Sequence, residues 1–334
     1  MNGSSYSKTG ALKKTICALS AALAVSVLAV SAPGVIAADA SDAVTAVSVS
    51  RYFLALADDR CHALQPDAAA ALKAGYVQAR NAALRAGHSM DDLGPWLQRA
   101  RAAAAAVPCG DAKLTKDFAD AGAAYRRFIV QTRLDLPGVR AGWTADRAYG
   151  DDARWRLVQY QNLPDADVAL GLYGPLDAPR FTVMADFHGG EKPYAARLLT
   201  RDPDRLGSGL IDAGAFALTP AAPAGFGSDS LSFMARDSAE VRVALRPEIK
   251  TNLAGFTLTG QHVAETAGDA VRFDFPSRAW PAIARLDPRE DMVVEFDFDD
   301  GPRYARFEVG DFVTGLTYVT LPQPYTHNRR DTAN

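Results

Sequence analysis

The sequence predicts an α+β chain: an N-terminal antiparallel four-helix bundle followed by an antiparallel β-sandwich or barrel-like domain. Three observations lead there. Alanine-rich segments with an apolar period of 3.6 occupy the chain up to about residue 134. Short segments that alternate every second residue, separated by Gly and Pro turns, occupy the remainder. Two cysteines, Cys61 and Cys109, follow the first and third helical segments, where one bridge can join them.

Residues 1–37 read as a secretory signal peptide. Lys8, Lys13 and Lys14 give a basic leader without acids, and an apolar run from Ala18 to Val30 follows. That run is interrupted by Ser20 and Ser26 and is shorter than the roughly 20 apolar residues of a bilayer-spanning helix. Pro33 and Gly34 break it, and Val35-Ile36-Ala37 offers the small-x-small cleavage pattern, with Ala38-Asp39-Ala40 as a second cut. Cys17 precedes the apolar run, where no lipidation site would use it. The mature chain is therefore expected in the periplasm or secreted, with no membrane span after cleavage.

Cleavage after Ala37 removes three lysines and no acid, leaving 33 basic against 39 acidic residues. Such a balance argues against a nucleic-acid partner, which requires a basic surface. The remaining length is enough for two domains with real cores: a helical one over 41–136, a β-rich one over 140–322, and a disordered tail over 323–334.

The first helix is predicted over 44–60, with Asp42 as N-cap. A second opens at Pro66-Asp67 and ends at Gly87, as Pro and Gly placement favours. The third follows Ser89 and stops before Pro108; the fourth runs over 111–134 and stops at Pro137-Gly138. Leu72, Tyr76, Ala79 and Ala83 form one apolar stripe, and Leu93, Leu97, Ala100, Ala104 and Val107 another. Leu114, Phe118, Ala121, Tyr125, Phe128 and Thr132 form a third. In an up-down-up-down bundle the first and third helices end at the same pole, so Cys61 and Cys109 are expected to pair in an oxidising compartment. No cofactor is predicted: Cys61-His62 lacks the second cysteine of a c-type haem site, and His62 and His88 fall at opposite poles.

Strands are predicted over 155–160, 168–173, 181–187, 231–235, 241–245, 271–275, 293–298, 304–309 and 314–320. The clearest hairpin turns at Asp300-Gly301. On it Glu295, Asp297 and Asp299 share one face, with Arg303 and Arg306 returning on the partner strand. Those acids are read as a solvated face with cross-strand ion pairs, not as a calcium set, because alternating strand residues diverge. The stretch 201–230 is read as a long loop with an embedded strand near Phe216, and as the first place to seek a binding edge.

Asp186-Phe187-His188-Gly189-Gly190-Glu191 is the most suggestive polar cluster. His188 is a candidate base or ligand with Asp186 or Glu191 beside it, although Gly189-Gly190 equally marks a tight turn with His188 on its shoulder. No second histidine is near in sequence to complete a metal set, and His262 would have to arrive from elsewhere in the fold. The nucleophile-elbow, Ser-x-x-Lys and His-Glu-x-x-His motifs are absent. The leading expectation is a non-catalytic binding or cell-envelope interaction module whose partner is an envelope protein or a small ligand. The alternative is an envelope-polymer hydrolase with Asp186, His188 and Glu191 as its catalytic residues.

Overall fold

The structure is a computed structural model that describes residues 40–148, 152–205, 211, 214–227, 229–243, 245 and 268–322. The leader and its cleavage sites, the 323–334 tail and His262 lie outside the described residues.

Four helices come first: α1 (Ala40–Cys61), α2 (Pro66–Arg85), α3 (Met90–Ala106) and α4 (Ala112–Ile129). Pro66 sits in the first turn of α2. At α3, Ser89 and Asp92 form a reciprocal capping box, and Asp111 caps α4 by accepting from the Leu114 amide. Of the predicted stripes, Ala104 of α3 and Leu114 and Phe118 of α4 share one buried cluster with Leu54 and Ala57 of α1, and Leu72 of α2 packs onto it, whereas Phe128 packs against the β-rich core. The Cys61 and Cys109 sulfurs are bonded, with Cα atoms 5.6 Å apart, so α1 and α3 both end at this bridge. The Arg60 guanidinium donates to the Val107 carbonyl beside it.

The fourth helix ends earlier than predicted. It stops at Ile129, and residues Arg133–Leu136 form β1, which pairs antiparallel with β2 (Trp143–Asp146). Pro137-Gly138 consequently belongs to a strand connection, where a side chain at 138 would meet the Ala141 carbonyl oxygen at 1.9 Å. Then follow β3 (Arg154–Asn162), β4 (Ala166–Gly174), β5 (Arg180–Phe187), β6 (Ala195–Thr200), β7 (Leu231–Met234), β8 (Asp237–Val243), β9 (Gly268–Phe275), helix α5 (Ala279–Ile283), β10 (Asp291–Phe298), β11 (Gly301–Glu308) and helix α6 (Phe312–Thr320).

Two antiparallel sheets result: one of seven strands, ordered β1-β2-β3-β4-β5-β9-β8, and one of four, ordered β11-β10-β6-β7. Inward residues of both, such as Leu170, Phe181 and Phe273 from the first and Leu198, Phe296 and Phe307 from the second, share one core. Phe187 meets Phe296 and Phe298 edge-on at 5.3 and 4.9 Å, a favourable geometry for aromatic pairs. The sheets are also tied by side chains. Gln159 of β3 donates to the Glu308 carbonyl (2.9 Å) and accepts from its amide (2.8 Å), while Gln161 donates to the Arg306 carbonyl (2.6 Å). These amides satisfy backbone groups along the outer edge of β11, which would otherwise be costly to bury.

Residues 314–320, predicted as a strand, lie in α6. Their β-branched and aromatic composition favours a strand, yet Phe312, Gly315, Tyr318 and Val319 form a helical stripe buried against the sheets. Tertiary packing overrides propensity there. Gly315 allows the approach, because a side chain would meet Leu157 Cδ1 at 2.4 Å. The hairpin turn also shifts by one residue: Phe298 pairs with Gly301, so Asp299-Asp300 form the loop and Gly301 (φ 126°) opens β11.

In the 201–230 stretch the described residues include no strand at Phe216, only a single bridge between Thr219 and Tyr304. This loop is fastened to the four-stranded sheet. Phe226 packs with Leu199, Val293 and Tyr304, and the Arg140 guanidinium lies over the Phe216 ring at 4.6 Å.

The helices meet the β-rich part where α2 packs on α6. Asp311, fully buried, accepts from Asn81 Nδ2 (2.8 Å) and Arg85 Nη2 (3.0 Å). Thr314 donates to the Ala74 carbonyl at 3.3 Å.

Candidate functional site

β3, β4 and β5 bring residues 160–167 and 186–188 together at one end of the seven-stranded sheet. Alternation sends Val168, Ala185 and Phe187 into the core. Asp167 and Asp186 therefore stand on the opposite face, and the register sets them directly across from each other. Facing carboxylates repel, so the site needs donors and positive charge.

Both are present. Asp167 Oδ1 accepts from the Tyr160 hydroxyl (2.6 Å) and from Asn162 Nδ2 (2.7 Å), and its Oδ2 lies 3.6 Å from His188 Nε2. Burial works to raise the Asp167 carboxyl, but the hydrogen bonds from Tyr160 and Asn162 and the contact with His188 outweigh it and hold the group below the usual carboxylate range.

His188 occupies a turn closed by the Gly190 amide donating to the Phe187 carbonyl at 2.9 Å, with Gly190 at φ 75°. Its own amide donates to the Asp165 carbonyl (3.0 Å), and Nδ1 donates to the Pro164 carbonyl (3.1 Å). A carbonyl only accepts, so Nδ1 carries a hydrogen and Nε2 faces Asp167. The Pro164 hydrogen bond, joined by the Asp167 and Asp186 charges, pushes the imidazole above its ordinary value despite some desolvation. The ring is 43% exposed, which leaves it in contact with solvent.

The predicted trio separates. Asp186 stays across from Asp167, beside His188, whereas Glu191 turns toward the other sheet and pairs with Arg303 Nη1 at 2.6 Å. Arg303 also binds Asp300 (2.8 Å). Tyr160, Asn162 and Asp167 were not singled out by sequence; they lie more than 20 residues from His188, and only the β3-β4-β5 register joins them.

The acids of β10 make a second polar group. Glu295 Oε1 pairs with Arg197 Nη2 at 3.0 Å, and Asp297 lies 3.7 Å from the same guanidinium. Burial pushes the Glu295 carboxyl up against the pull of Arg197, with Asp297 adding repulsion. The cross-strand partner is thus Arg197 on β6, a strand not predicted. Arg306 instead donates to the Ala215 carbonyl (2.6 Å) and lies 3.7 Å from Asp291.

Among the described residues, no group of three or more His, Cys, Asp or Glu side chains is placed to hold a metal ion, and no helix is long and apolar enough to cross a membrane. No protein-family profile, curated protein sequence or solved structure matches the chain.

Proposed function

We propose that this chain is an exported, non-catalytic binding module of the cell envelope, periplasmic or secreted once residues 1–37 are removed. In this reading a disulfide-pinned four-helix bundle (41–136) and a β-sandwich (140–322) form two domains joined by the α2–α6 contact. What supports it is the separation of the predicted trio: Glu191 is drawn to Arg303, and His188 sits on an exposed turn with its Nδ1 committed to the Pro164 carbonyl. The ligand is an envelope protein or a small molecule. Crosslinking and pull-down from intact envelopes test this; recovery of the protein alone under several conditions overturns it. N-terminal mass mapping of the exported chain should find Ser41 or Ala38 as its first residue.

The second reading is an envelope-polymer hydrolase using Asp186, His188 and Glu191. It draws support from one contact, the imidazole set beside carboxylates with a raised proton affinity. Unchanged hydrolysis by His188→Ala, on any polymer the parent cleaves, removes it.

A further inference from the structure

An open trough of about 540 Å³ lies between α5 and α6. Trp280, Pro281 and Ala284 line it from the α5 side, and Val313 and Leu316 from α6. Its walls stand on the core: Ala279 and Ile283 beneath α5, and Phe312, Tyr318 and Val319 beneath α6, are buried. Both walls are thus held by packing, and the trough exists before any ligand arrives.

Arg278 stands exposed at the rim. The arginines that follow it in the chain, Arg285 and Arg289, are committed, the first to Asp204 and the second to Asp287 at 2.9 Å. Arg278 has no ion pair, side-chain hydrogen bond or ring contact among the described residues, and no acidic residue lines the trough. An apolar channel with one uncompensated cation at its edge is complementary to an apolar tail carrying a single negative head. A neutral apolar ligand would leave the guanidinium unused, and a polyanion would find no second cation in the lining.

We propose that this trough binds a medium-chain fatty acid, with the alkyl chain between Trp280 and Leu316 and the carboxylate on Arg278. The site is separate from the His188 surface and independent of the envelope-partner reading. The binding energy comes from burying methylenes, so affinity rises with chain length. The exposed ion pair adds a modest preference for the charged head.

The test is calorimetric titration of the purified exported chain with octanoate, decanoate and decanol below their aggregation thresholds. Decanoate should bind more tightly than octanoate by several-fold, up to about 15-fold if both added methylenes are fully buried. It should exceed decanol by about two- to fivefold. Arg278→Gln should erase that preference while keeping chain-length dependence. Ala284→Glu, at an exposed position, should abolish decanoate binding with an unchanged circular dichroism spectrum. Absence of binding, equal affinity for octanoate and decanoate, or a carboxylate preference surviving in Arg278→Gln overturns the proposal. Because the titration uses purified protein and a defined ligand, its failure is distinguishable from failure to find an envelope partner.

Discussion

Replacing Asp311 tests how the helices are held to the sheets. Its carboxylate is fully buried where α2 meets α6, with Asn81 Nδ2 at 2.8 Å and Arg85 Nη2 at 3.0 Å. The Arg85 side chain is only 11% exposed, so it cannot recover its hydration without moving. Asp311→Ala leaves that guanidinium without its acceptor and the Asn81 amide with only its longer bond to the Gly310 carbonyl (3.3 Å), and should cost about 3–5 kcal/mol. Asp311→Asn keeps one acceptor oxygen, sets an NH2 against the other donor and removes the charge that faces Arg85; it should cost less than the alanine variant, about 1–3 kcal/mol. The pH dependence separates the two effects. Burial pushes the Asp311 carboxyl up, over the opposing pull of Arg85 and Asn81 and with Glu308 adding repulsion. A raised carboxyl means that folding takes up a proton. Its contribution is therefore most favourable below the ordinary aspartate value of about 3.9 and is lost as pH rises through the raised value. Relative to Asp311→Asn, the parent chain should lose stability over that window. Urea unfolding from pH 4 to 8, with amide exchange in α2 and α6, measures this. An alanine variant within about 1 kcal/mol of the parent, or a parent that gains on Asp311→Asn as pH rises, would refute the reasoning.

Other consequences are equally direct. Arg201 and Glu290 form a buried bidentate pair, both bonds 2.7 Å, so Arg201→Met should cost about 3–5 kcal/mol, while Arg201→Met with Glu290→Leu should regain most of it in chemical denaturation. Cys61→Ser with Cys109→Ser should lower stability by about 4 kcal/mol on the chain-entropy account, and nonreducing peptide mapping of the parent should recover the Cys61–Cys109 peptide. His188 should titrate above its ordinary value by NMR, and Asp167→Asn should move it down; an unmoved midpoint in that variant would show that the 3.6 Å contact carries no charge interaction. Because the His188 value is raised, whatever stability its contacts supply is present in acid and lost as pH climbs through the folded-state value.

Much of the helical region was legible because its signals are local. Pro66, Ser89 and Asp111 announce helix starts by chemistry within one turn, and the Leu93–Val107 and Leu114–Phe128 stripes follow from spacing alone. Residues 314–320 failed by the same logic: Val, Thr and Tyr favour a strand, and only the fit of Gly315 against Leu157 reveals why a helix forms. The end of α4 was misplaced because Pro137-Gly138 signals a break in chain direction without saying what breaks. The candidate site was half legible. Asp186 and His188 were visible as neighbours, but Asp167, Tyr160 and Asn162 join them through strand register, which is a long-range property.

What the sequence determined by itself is therefore whatever depends on a few successive residues: the periods that separate helical from extended chain, the helix caps, and cysteines positioned to meet. Tertiary structure alone decided which charges answer one another. Glu191 was drawn to Arg303, Glu295 to Arg197 and Asp311 to Arg85. Those pairings arise from sheet register and helix docking, where partners tens or hundreds of residues apart are brought within hydrogen-bond distance by the burial of apolar faces, and no spacing along the chain encodes that distance.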